Sequence, residues 1–262
     1  MFEELLEDIA QKNGLREVNT NLKLATGLGA ILLCLLSSSY FPPLFIALVL
    51  TGAILFLARV DPKTYAELFV VPLWFAVMSV AGIILISGGQ DIFWKWDILP
   101  SFSLSVTRES INQGIFVFCR VLGGMSALCF ISLTTPMTNI FTVLRQWRIP
   151  EIIIELMMII YRTIFILMDQ VVQIYTAQVM RLGYSTVKES IHSCATLCGA
   201  AFIASWDAGE DLVKAMDARC YTGKFAVLGE NRPVERGPLL ALLVFLSLSA
   251  AIVIFSGNST IM

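Results

Sequence analysis

The chain has 262 residues, of which 57% are hydrophobic and 15% charged, with a formal net charge of −2 and a mean hydropathy of +0.78. The charged fraction falls well below the about 25% usual in soluble domains, which points to membrane spans rather than one large core. The lack of a basic excess argues against nucleic acid as a partner.

Residues 1–21 read as a short amphipathic or irregular segment. Glu3, Glu4, Glu7 and Asp8 replace the basic-then-apolar pattern of a leader, so no cleavable signal peptide is expected. Apolar stretches run from Ala25 to about Tyr40 and from Pro43 to about Ala58. Ser37-Ser38-Ser39 and Pro42-Pro43 predict a tight hairpin between them. Leu68 to about Ser87 predicts a third span, and Gly88-Gly89 opens a polar loop to about Asn112 whose Trp94 and Trp96 suit a membrane interface. Gly114 to Leu133 predicts a fourth span and Pro238 to Phe255 a last one.

Between those two spans the pattern is mixed. Met137–Arg148 is amphipathic, and Pro150-Glu151 opens a long helical pattern with an acidic first turn. Glu155, Arg162 and Asp169 recur every seven residues, nearly two turns, and so share one narrow face. That pattern predicts a polar stripe packed against a neighbouring helix. Val187 to about Arg219 predicts a further helix, with Glu210 and Lys214 spaced for an i,i+4 pair. Three such helices predict a platform at the membrane surface. Ile152–Met168 can also be read as a sixth span; five is the preferred count.

Basic residues support this layout. With the N-terminus in the cytoplasm, the inner segments hold Lys12, Arg16, Lys23, Arg59, Lys63 and all ten basic residues of 134–236. The outer segments hold only Lys95 and Arg108, while Arg120 lies within a span, where pairing with a neighbouring polar group is expected. The fold class is therefore an all-α integral membrane protein of about five transmembrane helices with a cytoplasmic-side helical platform. Its divisions are 1–133, 134–236 and 237–262.

Two helix ends stand out: Met180-Arg181-Leu182-Gly183-Tyr184 and Ala218-Arg219-Cys220-Tyr221-Thr222-Gly223. Gly183 and Gly223 are the expected helix stops. An arginine at such a place neutralises the negative helix end or presents a planar fork to an acidic partner.

Catalytic and metal chemistries find little support. His192 is the single histidine, and its spacing to Cys194 and Cys198 is poor for a metal. No glycine-rich phosphate loop and no serine elbow are present. The six scattered cysteines predict no disulfide framework. An enzyme is not expected.

The ordered segments Leu133-Thr134-Thr135-Pro136-Met137-Thr138, Arg148-Ile149-Pro150-Glu151, Glu155-Leu156-Met157, Ile160-Tyr161-Arg162, Tyr175-Thr176-Ala177-Gln178 and the two arginine ends carry a resemblance. The chain resembles the transmembrane T component of energy-coupling factor ABC transporters, in particular the CbiQ type of cobalt and nickel uptake systems. The resemblance covers most of the chain. It implies a non-catalytic coupling subunit in a bacterial or archaeal cell membrane. Its coupling motifs would dock on two cytoplasmic CbiO-like ATPase subunits through Arg181, Leu182, Gly183, Ala218, Arg219 and Cys220. ATP and Mg²⁺ would be bound by those partners, with no cofactor or metal in this chain. A substrate-binding membrane subunit, CbiM-like with or without a CbiN-like companion, would receive the motion. Lipids surround the spans.

The first motif matches the family's Ala-Arg-Gly-like pattern only at Arg181, and the second has Cys220 where glycine is usual. Either the backbone at 220 stays helical or this interface is altered. Competing expectations are a self-contained secondary carrier, or a T subunit serving nickel or a vitamin rather than cobalt.

Overall fold

The computed structural model describes residues 7, 9–86, 92–99, 102–221 and 236–256, with backbone alone at 85–86, 92–99 and 102–106. It divides into two compact units, Met1–Ile140 with Glu230–Met262, and Phe141–Gly229.

The first unit is a bundle of apolar helices. Helix α1 (Thr20–Leu36) begins where the Asn19 side chain accepts from the Asn21 amide at 2.9 Å. Helix α2 (Phe41–Gly52) carries Pro42 and Pro43 in its first turn, where a missing N–H costs nothing, and runs on into a π-helical turn, Ala53–Leu57. Ser37–Tyr40 thus forms the hairpin that the serine and proline cluster predicted. Helix α3 (Pro62–Ile86) is 25 residues long and tolerates Pro72 in its interior.

A two-stranded antiparallel ribbon follows, β1 (Ile92–Leu99) with β2 (Phe102–Thr107), inside the segment read as a loop. The rest of the described architecture is helical. Helix α4 (Arg108–Thr134) starts six residues before the predicted Gly114, because the Thr107 hydroxyl caps the Ser110 amide. Helix α8 (Arg236–Ser256) completes the unit. Among the described residues, α3, α4 and α8 are long and apolar enough to cross a membrane, and the shorter apolar helices Thr20–Leu36 and Phe41–Leu57 match the remaining two expected spans. The loop start at Gly88-Gly89 lies outside the described residues.

Helix α4 is the hub, touching α1, α2 and α3, while α8 packs on α1 and α2. Its close approaches use small residues, as helix pairs in lipid prefer. A Cβ on Gly123 would lie 2.7 Å from Cys34 Sγ and 2.8 Å from the Pro43 carbonyl. Ile46, Leu50, Ile54, Phe130 and Leu133 fill the core beside them.

Polar groups in this bundle serve its helix ends. Arg120 Nη2 donates to the carbonyls of Leu35 (3.1 Å) and Ser37 (2.6 Å), closing the C-terminal end of α1, and its guanidinium stacks 4.5 Å over Phe116. At the C-terminal end of α4, buried Lys23 donates to Thr134 O at 3.0 Å, and Asn13 Nδ2 reaches the carbonyls of Leu133 and Thr134, each at 3.1 Å.

Three further helices are α5 (Met137–Gln146), α6 (Glu151–Met180) and α7 (Val187–Ala218), close to the predicted bounds. Arg145 and Glu151 pair at 3.3 Å across the exposed link between α5 and α6.

Candidate functional site

Helices α6 and α7 form an antiparallel hairpin within the second unit. Sequence explains its bounds. Pro150 opens α6. Thr186-Val187-Lys188-Glu189 is a capping sequence in which the Glu189 amide donates to the Thr186 hydroxyl at 3.3 Å. The Ser185 hydroxyl also donates to the Glu189 carboxylate, and these hydrogen bonds hold its pKa below the usual glutamate value.

The turn between the helices is tight. Gln178 Nε2 donates to Ser193 O at 3.1 Å, and Ser193 Oγ donates to Gly183 O at 2.7 Å. A Cβ at Gly183 would lie 2.6 Å from Ser193 Oγ and 3.1 Å from Gln178 O, so glycine is needed there for space. Tyr184 donates to Gln178 Oε1 at 2.8 Å, and its ring packs on Tyr175 with centroids 5.1 Å apart. Burial comes first and the nearby Cys194, Tyr175 and Cys198 next in pushing the Tyr184 hydroxyl pKa up.

Both arginine ends close in the same way. Arg181 is the last near-helical residue of α6; then Leu182 turns to φ 60°, its amide bonding Val179 O at 3.0 Å and the Gly183 amide bonding Gln178 O at 2.9 Å. Arg219 holds the same place on α7; Cys220 turns to φ 54°, its amide bonding Asp217 O at 3.0 Å and the Tyr221 amide bonding Met216 O at 3.1 Å. Each is a Schellman cap with a non-glycine residue in the left-handed position. Arg148 at the end of α5 makes a third, with φ 59°.

This geometry corrects the helix stops expected from sequence. Leu182, not Gly183, takes the left-handed turn, and Gly223 lies outside the described residues. Cys220 does not stay helical: it adopts the conformation that glycine favours. The bonds made by the two amides that close each cap hold both residues there.

Arg181, Leu182, Ala218, Arg219 and Cys220 are exposed, and Gly183 is half-buried. The hairpin holds the two arginines apart. Glu155 on α6 meets Tyr221 beyond Arg219, with the Tyr221 hydroxyl donating to Glu155 Oε2 at 2.9 Å. Arg181 lies 26 residues further along α6, so the two guanidinium-bearing ends are about 40 Å apart at about 1.5 Å per residue.

Of the predicted charged stripe, Glu155 is half-buried against Tyr221, whereas Arg162 and Asp169 are exposed. Glu210 and Lys214 pair at 3.4 Å, as their spacing required. Among the described residues no group of three or more His, Cys, Asp or Glu side chains could hold a metal ion. All six cysteines are free, with Cys34 and Cys119 buried, Cys129 half-buried and Cys194, Cys198 and Cys220 exposed. Sequence reasoning gave no role to Tyr184 and Tyr221. The available signal was a tyrosine two or three residues beyond each arginine.

The fold and its surface define a multi-span helical membrane protein bearing a long exposed hairpin that presents arginine at both ends. Residues 11–230 match the model of the CbiQ family, described as cobalt transport protein. A protein of Methanocorpusculum labreanum named as a fused cobalt transport protein, CbiMQ, is 39% identical over 93% of this chain, which spans 40% of that relative's length. The cobalt transport protein CbiQ of Rhodobacter capsulatus is 30% identical over 80% of this chain and 82% of its own. The energy-coupling factor transporter transmembrane protein EcfT of Limosilactobacillus fermentum is 26% identical over 79% of each chain. The chain belongs to the CbiQ family of cobalt transport proteins, and its relatives are membrane transport components.

Proposed function

We propose that this chain is the coupling subunit of an energy-coupling factor ABC importer of cobalt ions. It does no chemistry. Arg181 and Arg219 dock on two CbiO-like ATPase subunits, which bind ATP and Mg²⁺. Closing of the ATPases displaces the hairpin, and a CbiM-like membrane subunit, with or without a CbiN-like companion, binds the ion and receives the motion. The name of the fused CbiMQ relative supports a CbiM-like neighbour, and that of the EcfT relative supports an energy-coupled assembly.

One observation carries the reading. Two exposed arginines sit in matching caps at opposite ends of one helical hairpin. A guanidinium meets a carboxylate through two parallel hydrogen bonds, which resist shear as well as separation. Two such contacts about 40 Å apart, from the helical rise, give each of two ATPases its own docking point on the hairpin. The concentration of Lys and Arg in 134–236, ten against two in the outer segments, supports a cytoplasmic N-terminus and a cytoplasmic hairpin in a bacterial or archaeal cell membrane.

Proteoliposomes test the proposal. The chain assembled with its ATPase and substrate-binding partners should take up cobalt only with ATP and Mg²⁺, and the chain alone should take up none. Uptake by the purified chain alone would defeat it in favour of a self-contained carrier. Faster uptake of nickel than of cobalt would overturn the choice of ion.

A further inference from the structure

Each arginine is followed by a tyrosine whose hydroxyl reaches back to α6. Tyr184 donates to Gln178 at the end of that helix, and Tyr221 donates to Glu155 near its start, 66 residues away in sequence. Both caps are therefore fastened to one helix, which at 30 residues is about 45 Å long. The Arg181 end is held by the turn itself, through Gln178, Ser193 and Gly183. The Arg219 end lies at the opposite end of the hairpin from that turn. Helix α7 has no buried residue, so apolar packing does little to fix its far end. The Schellman bonds shape the cap at 216–221 but span only one turn. The hydroxyl–carboxylate bond crosses from one helix to the other.

We propose that Glu155 and Tyr221 are positioning residues whose hydrogen bond fastens the Arg219 cap to the helix carrying Arg181, so that the two docking arginines move as one body. This rests on the docking role proposed above. Tyr221 is the residue whose amide closes the Schellman cap, one position past the left-handed Cys220. Fixing its ring therefore fixes the direction in which Arg219 leaves the helix. Without that bond the cap can fray, and displacement of one ATPase is absorbed at the loose end instead of reaching the rest of the subunit.

The test uses the complete transporter in proteoliposomes, reading ions moved per ATP hydrolysed, with ATPase co-purification as a separate measure. Tyr221→Phe removes one oxygen and leaves the ring. Glu155→Ala removes the acceptor, and Glu155→Gln keeps one. Tyr221→Phe and Glu155→Ala should each leave the ATPases bound and lower transport per ATP about five- to tenfold, the upper range expected for a single intramolecular hydrogen bond. The double variant should be no worse than either single one, and Glu155→Gln should stay within about twofold of the parent. An unchanged ratio in Tyr221→Phe, additive losses, or a Glu155→Gln as defective as Glu155→Ala would overturn the proposal.

Hydrogen exchange on the full chain in nanodiscs gives a second reading that needs no assembly. Tyr221→Phe should speed exchange at 216–221 about tenfold and leave 178–183 unchanged. No change, or equal loosening of both ends, overturns the tie. Arg219→Glu separates the two levels. If that variant still retains both ATPases, the docking role of Arg219 fails, while the exchange result still decides whether the tie exists.

Discussion

Replacing Cys220 with glycine should slow local opening of the Arg219 cap. Cys220 sits at φ 54°, and an L-residue in that region costs about 1–2 kcal/mol relative to the right-handed one. Glycine removes that cost but brings extra freedom to the unfolded chain, about 0.5–1 kcal/mol. The Cys220 side chain is exposed, so little packing is lost. The balance favours glycine by about 0.5–1 kcal/mol, or about a two- to fivefold slower opening. The amide of Tyr221 reports it directly, because its bond to Met216 O at 3.1 Å breaks when the cap opens. Exchange of that amide should slow in Cys220→Gly and quicken in Cys220→Val, whose branched Cβ tolerates the left-handed region worst. Leu182→Gly should act likewise on the Gly183 amide, since Leu182 is 75% exposed at φ 60°. If Cys220→Gly exchanges as fast as the parent, or faster, the strained-cap reasoning is wrong.

Gly183→Ala should destabilise the hairpin turn by about 1–3 kcal/mol, because the added carbon would sit 2.6 Å from Ser193 Oγ. Adding Ser193→Ala should recover part of that loss in thermal unfolding, and no recovery would place the clash elsewhere. Arg120→Leu should lower bundle stability by about 1–2 kcal/mol in detergent unfolding, since the Leu35 and Ser37 carbonyls lose their donor. Acid should loosen the start of α7. The Glu189 pKa is lowered in the folded chain from its ordinary 4.5, so its contribution is present above that pH and is lost as pH falls below it. Exchange at 186–190 should therefore rise in that window, and Glu189→Gln should abolish the pH dependence.

Much of the fold was legible because its signals are local. Uninterrupted apolar blocks marked the spans, and the expected starts of α6 at Pro150-Glu151 and of α7 at about Val187 lie where the structure begins those helices. The ribbon at 92–107 was missed although Trp94-Lys95-Trp96-Asp97 alternates as a strand does. The tryptophans and the flanking glycines were read as an interfacial loop instead. That Arg181 and Arg219 stand at helix ends was legible, but the register of the caps was not. The preference for glycine at helix ends pointed to Gly183, where the structure uses glycine for close approach and places Leu182 in the left-handed turn. The partner of Glu155 lay out of reach. A contact between positions 155 and 221 depends on how two long helices fold back on each other, and no local pattern in either segment encodes it.

The central claim is that Arg181 and Arg219 carry the mechanical connection to the ATPases. Co-purification of those ATPases with the membrane-inserted chain tests it most directly, comparing the parent with an Arg181→Glu, Arg219→Glu double variant. The double variant should insert normally and retain no ATPase. Undiminished recovery of the ATPases on the charge-reversed chain would contradict it.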